Sequence, residues 1–244
     1  MIRRIEEISM NAWPGLRTIV LDGWVARFAN GITRRANSVI PLYESNNNIE
    51  QKIALCEKLY SGNNLPAAFK MTIAACPGNL DLILMQKGYI REAETSVQTV
   101  SLGKRKFSFN NCIIINENIN DEWINNFIKL SGHNSNYFEI FKEIISNIII
   151  ERCLFSLTIK GEIAGVGLGV CQDDFIGLFD IVIAETFRGK GYGQLIVQSI
   201  IHWGQTLGAK TAYLQVMTDN YPALKLYEKL GFNEEYKYWY RIKK

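Results

Sequence analysis

The chain has 244 residues, 48% of them hydrophobic and 21% charged, with a formal net charge of +3. That length holds one large domain or two modest ones, and so small a charge gives no argument for a nucleic-acid partner. Five cysteines stand far apart, without a C-x-x-C pair and with only His133 and His202 for company. Neither a metal site nor a disulfide framework is expected, and a reducing, cytoplasmic setting fits best. No apolar run is long enough to span a membrane, and the first residues lack a signal-peptide core, so no membrane partner is expected either.

In chain order, Trp24–Phe28 reads as a strand, Asn30-Gly31 as a hairpin turn and Ile32–Ile40 as the returning strand. A helix over Ile49–Tyr60, a strand over Phe69–Ile73 and a helix over Leu80–Gln86 follow. Leu102–Lys106 reads as a linker and Phe107–Ile115 as the first strand of a second half. The amphipathic stretches Asp121–Ser131 and Tyr137–Ile149 read as helices. Three strands come next, Arg152–Ile159, Glu162–Cys171 and Phe175–Ala184, the last apolar on both faces as a central strand is. A helix over Tyr192–Leu207 is stopped by Gly208, and Ala212–Met217 is a strand. Asn220 caps a helix that ends at Gly231, and Glu235–Ile242 alternates as a strand. The second half is thus an α+β domain.

Chemistry concentrates at the strand-to-helix junction Phe187-Arg188-Gly189-Lys190-Gly191-Tyr192-Gly193-Gln194. Alternate glycines let the backbone turn tightly and bring amide N–H groups close to a ligand. The following helix adds unpaired N–H groups and a partial positive charge at the same spot. Two readings stand: a phosphate or pyrophosphate seat, or a glycine turn flanked by two solvated cations. A Walker loop fails because Gly191, and no Ser or Thr, follows Lys190. A dinucleotide fingerprint fails because Gln194 or Ile196 stands where its third glycine belongs.

The junction resembles the pyrophosphate loop of the GNAT superfamily of N-acetyltransferases, R/Q-x-x-G-x-G/A, matched by Arg188, Gly191 and Gly193. The segment from Asn220 to Phe232 is similar to the family's N-x-x-A-x-x-L-Y-x-x-x-G-F helix. Together the resemblance covers roughly Asp121–Lys244 and implies a GNAT fold, with a central twisted mixed sheet, and acetyl-CoA as co-substrate. By position it implies that Ile181, Val182 and Ile183 pair with the pantetheine arm. Arg188, Gly189, Lys190, Gly191, Tyr192, Gly193 and Gln194 then hold the pyrophosphate, and Asn220 contacts the arm. Tyr227 matches the tyrosine that protonates the departing CoA thiolate, its alternative being a core aromatic. The glutamate base of some relatives is replaced by Gln215, which cannot take a proton. Asp180 is the candidate substitute; a structural aspartate, or proton removal through water, are the alternatives.

Sliding the chain onto itself by 143 positions lays Lys87-Gly88-Tyr89 on Leu230-Gly231-Phe232 and Ile49–Tyr60 on Tyr192–Trp203. Against chance similarity stands the agreement in element order, which points to a tandem protein. Residues 1–103 are then a degenerate, smaller GNAT-like half acting as a substrate cap, and residues 104–244 the catalytic domain. The cofactor features are missing from the first half: Ser45-Asn46-Asn47-Asn48 stands for Arg188–Gly191, and Leu84 for Tyr227. Its Trp24, Arg34 and Arg35 are candidates for the acceptor, since a guanidinium holds a carboxylate bidentately; exposed cations and a buried tryptophan are the plain alternative. The expected activity is acetyl transfer to a primary amine of a small molecule by a monomer or homodimer. A non-catalytic acyl-CoA sensor and a protein or peptide N-acetyltransferase are the rival readings.

Overall fold

The computed structural model describes every residue except Lys104, Ser135 and Lys244, so the expected domain start and end at Lys104 and Lys244 lie outside the described residues. Two compact units emerge: Met1–Ser96 with Tyr236–Lys244, and Val97–Glu235. The last strand, read from the sequence as part of the second half, therefore contributes most of its length to the first unit.

In the first unit, helix α1 (Ile2–Ala12) precedes strands β1 (Arg17–Leu21), β2 (Trp24–Phe28) and β3 (Val39–Pro41). Helix α2 (Ile49–Ser61), β4 (Ala68–Thr72), α3 (Leu80–Gln86), β5 (Ile90–Ser101) and β11 (Asn233–Ile242) complete it, the unit boundary falling within β5 and β11. β1–β2 and β2–β3 pair antiparallel, β3–β4 parallel and β4–β11 antiparallel. Trp24, Phe69, Ile53 and Leu84 are among the fully buried members of its core. On β11, Tyr236 donates to the buried Glu6 carboxylate at 2.7 Å, which also takes the Lys70 ammonium at 2.6 Å.

The return strand expected over Ile32–Ile40 shrinks to β3, and Asn30-Gly31 does not close a two-residue hairpin. The reason is Asn37. Its Oδ1 accepts the amides of Ala29 (2.7 Å) and Gly31 (3.1 Å), and its Nδ2 donates to the carbonyls of Ile32 (2.6 Å) and Thr33 (2.8 Å). One side-chain amide thus templates the loop in place of a ladder. α1 and β1 have no counterpart in the sequence reading.

In the second unit, β6 (Ile113–Asn116) is followed by α4 (Asp121–Ser131), α5 (Tyr137–Ser146), β7 (Glu151–Ile159), β8 (Glu162–Gln172) and β9 (Phe175–Ile183). Then come α6 (Tyr192–Thr206), β10 (Thr211–Met217) and α7 (Tyr221–Lys229). The strands run in the order β6-β7-β8-β9-β10. All neighbours pair antiparallel except β9 and β10, which are parallel. The strand expected over Phe107–Ile115 starts late because Asn110 accepts the Cys112 amide at 2.9 Å, a local turn that competes with the ladder. On β8, glycines at alternate positions let α6 lie close: a Cβ on Gly167 would come to 2.8 Å from Ile196 Cγ2. Such an approach is tighter than packing allows, so α6 sits at a depth that only glycine permits.

The two units repeat one element plan. At the 143-residue offset, Ile49 opening α2 falls on Tyr192 opening α6, and β4 and α3 fall on β10 and α7. Both plans pass from an antiparallel hairpin to a parallel pair through a helix. Gly88 and Gly231 occupy the same left-handed position after the last helix, with φ 82° and 85°.

Candidate active site

The site is built where β9 leaves the sheet. Val166 pairs with Val182 but Leu168 with Phe179, so Asp180 and Ile181 together oppose Gly167. This is a β-bulge, and it bends the strand that carries it. Asp180 takes the left-handed φ of 49° there. Parallel pairing with β10 ends at Leu214↔Leu178. Beyond that register the ladder between the two strands stops, with Phe179–Ile183 and Gln215–Met217 continuing past it.

A short 3-10 turn, Glu185–Phe187, then leads into the glycine loop. Gly189 (φ 75°) and Gly191 (φ 83°) are left-handed, which a side chain tolerates only at a cost. No side chain caps α6 at Gly191. Gln194 and Leu195 donate to the Gly191 carbonyl, while the amides of Tyr192 and Gly193 have no intrahelical partner. Arg188 Nε donates to the Ile183 carbonyl at 3.1 Å, and Lys190 donates to the Thr186 carbonyl at 2.8 Å. These bonds fix the loop while both side chains stay exposed.

Around the loop lies a cleft of about 390 Å³, lined by Ile181 and Ile183, by Phe187–Gly189 and Gly191–Gln194 of the loop without Lys190, and by Asn220 with one face of α7. Tyr227 is the buried member of the α7 wall at 9% exposure, packed edge-on against Phe232 at 5.8 Å. Burial pushes its phenol up to about 12, so the hydroxyl is protonated at neutral pH. Among the described residues it has no hydrogen-bond partner. It can give its proton to a group in the cleft.

The structure thus brings Ile181, Ile183, Arg188, Gly189, Gly191, Tyr192, Gly193, Gln194, Asn220 and Tyr227 to one cleft. Val182 pairs within the sheet, and Asp180 lies at the bulge one residue before the first lining residue. Asn220 already caps α7, accepting the Ala223 amide at 3.3 Å. Lys225 and Lys229, missed in the sequence, line the same wall; their i,i+4 spacing after the Asn220 cap is the signal that places them on one face. Of the acceptor candidates, all in the first unit, Trp24 is a correction. It is fully buried, its indole N–H donates to the Cys76 carbonyl at 2.9 Å, and it has no surface to offer a ligand. Arg34 is exposed and paired with Glu92 at 2.7 Å, and Arg35 lies over the Trp13 ring at 4.4 Å. No described helix is long and apolar enough to cross a membrane.

Residues 1–241 match the family model described as "Probable histone acetyltransferase Rv0428c C-terminal". A Bacillus subtilis protein described as the uncharacterized N-acetyltransferase YobR is 29% identical over 252 residues, 100% of this chain and 99% of its own. A ribosomal protein bS18-alanine N-acetyltransferase of Haemophilus influenzae is 39% identical over 71 residues, 28% of this chain and 48% of its own. A GCN5-related N-acetyltransferase structure from Kribbella flavida superposes with a TM-score of 0.70 at 12% identity, covering 98% of this chain and 94% of that one. A tandem GNAT protein from the clavulanic acid biosynthesis pathway does so with 0.60 at 11% identity, over 98% and 87%. At such identities the two structures speak for the fold, which is the GNAT fold, and the family model speaks for descent: the chain belongs to the Rv0428c-type acetyltransferase family and is an N-acyltransferase.

Proposed function

We propose that the chain transfers an acetyl group from acetyl-CoA to the primary amine of a small molecule by direct attack of the amine on the thioester. The observation that carries this reading is the cleft shared by an uncapped helix N-terminus, the end of β9 past its pairing with β10, and the protonated Tyr227. The amides at the start of α6, with Arg188 and Lys190, suit a pyrophosphate. The end of β9, past its last pair with β10, suits the amide groups of a pantetheine arm. As the amine nitrogen bonds to the acetyl carbon the C–S bond breaks, and Tyr227 gives its proton to the thiolate. The proton lost by the amine goes to Asp180 or to water.

The repeated element plan supports a tandem origin in which the first unit is the degenerate copy. Arg34 is its candidate carboxylate-binding residue, exchanging Glu92 for a substrate carboxylate. A second reading, a peptide N-terminus as acceptor, is favoured by the name of the bS18-alanine N-acetyltransferase relative, although that match covers 28% of the chain. A cytoplasmic setting suits either. Calorimetry should give one acetyl-CoA per chain, and a panel of amines assayed for thiol release should single out amino-acid-like acceptors. Their turnover should fall in Arg34→Ala; activity confined to peptides would transfer the assignment to the second reading, and binding without turnover would leave a sensor.

A further inference from the structure

The stretch of the first unit that matches Arg188–Gly191 is Ser45–Asn48, and it is not empty. Asp22 Oδ2 accepts from Ser45 Oγ at 2.7 Å, from the Asn46 amide at 3.0 Å and from the Asn47 amide at 2.9 Å. Lys52, one turn into α2, stands 3.5 Å from the same oxygen and donates to Ser45 Oγ at 2.6 Å. Two successive backbone amides just ahead of the Asn48 cap of a 13-residue helix, with a hydroxyl and a nearby ammonium, form the donor set that a phosphate oxygen takes. Here a carboxylate oxygen takes it. The contact is built in: Tyr43 donates to the Gly23 carbonyl at 3.0 Å, and a Cβ on Gly23 would run into the Glu44 carbonyl oxygen. The Asp22-Gly23 turn is thereby clamped to the loop.

The second unit shows the contrast. Its matching hairpin turn, between β7 and β8, has the same pair of left-handed residues, φ 52° at Lys160 and 83° at Gly161, against 44° at Asp22 and 84° at Gly23. It carries a cation where the first unit carries an anion. Nothing lies within 4 Å of a Cβ built at Gly161, Gly189 or Gly191, so turn and loop stay open.

We propose that Asp22 is an internal ligand, its carboxylate filling in the first unit the anion seat that Arg188–Gly191 leaves open in the second. The seat was kept and the ligand replaced by a side chain, which restricts the chain to one cofactor and holds the start of α2 in place. This rests on reading the Arg188–Gly191 loop as the diphosphate seat, and a chain lacking the Asp22 carboxylate should gain a second site for a diphosphate.

The test uses inorganic pyrophosphate and the full chain. Gly191→Glu closes the second unit's seat and should bind none. Adding Asp22→Gly, which keeps the left-handed turn, should restore one site per chain where Gly191→Glu alone has none. A folded double variant that binds no pyrophosphate overturns the inference. If the wild-type chain itself binds none, it is the reading of the second loop that fails. Should the double variant not fold, Asp22→Asn decides. Held down to about 2 from 3.8 by Ser45, the Asn47 amide and Lys52, Asp22 adds stability above pH 3.8 and loses it as pH falls towards 2. The thermal midpoint of the wild type should fall more steeply across that window than that of Asp22→Asn; equal slopes overturn the inference.

Discussion

Gly193 on α6 lies directly against Leu226 on α7: a Cβ on the glycine would stand 3.1 Å from Leu226 Cδ2. The contact joins the helix that presents the loop to the helix that carries Tyr227. Gly193→Val should wedge the two apart at an overpacking cost of about 1–3 kcal/mol, so kcat/KM should fall roughly tenfold or more. Steady-state kinetics beside a melting curve check it. A loss of stability with unchanged kcat/KM would show that the separation of the helices does not matter to the chemistry.

Gly191→Glu should abolish acetyl-CoA binding. It sets an anion at the uncapped start of α6 and forces a side chain into φ 83°. Gly191→Ala separates the two effects. Open space surrounds the position, so alanine pays only for the left-handed backbone, about 1–2 kcal/mol, and adds no charge. Calorimetry should show weak binding in the alanine variant and none in the glutamate variant. Equal affinity in all three proteins would place the cofactor elsewhere.

Tyr227→Phe should lower kcat by about a hundredfold, the usual size of one acid–base contribution, and leave the acetyl-CoA dissociation constant unchanged. The hydroxyl acts as the thiolate forms, after the ground-state complex is made. With its phenol held near 12, Tyr227 stays protonated well past the point where an exposed tyrosine ionises. The wild-type kcat should therefore hold through pH 10. A fall near pH 10 would make another group the acid.

The residues of the cleft were legible from sequence because they come from two short, contiguous motifs. Glycine spacing, the Asn220 cap and the Tyr227 register are all local, and each keeps its place once the strand–helix order is right. What escaped depends on pairing at a distance. The bulge at Asp180 exists only in its register against Gly167. Trp24 looked like a binding residue because nothing local says that Cys76 will satisfy its indole. The Asn30-Gly31 signal was overridden by the side chain of Asn37, several residues on. Nothing local marks Asp22: its partner loop lies beyond β2 and β3, and the contact is invisible until the hairpin closes.

Asp180 combines a backbone role with a chemical one, and two substitutions separate them. Its φ of 49° is a conformation that asparagine and glycine adopt readily and alanine does not. Asp180→Asn therefore keeps the bulge and removes the carboxylate, whereas Asp180→Ala disturbs both. If Asp180 takes the amine proton, Asp180→Asn should lose most of its rate at low pH, where the acceptor is an ammonium and must be deprotonated. It should approach the wild type as the amine becomes neutral. Asp180→Ala should in addition lower the thermal midpoint and weaken acetyl-CoA binding, because the splay between β9 and β10 depends on the bulge. Rate–pH profiles of the three proteins, with their melting points, decide the matter. A loss in Asp180→Asn that is equal at every pH makes the residue purely structural, and the proton then leaves through water.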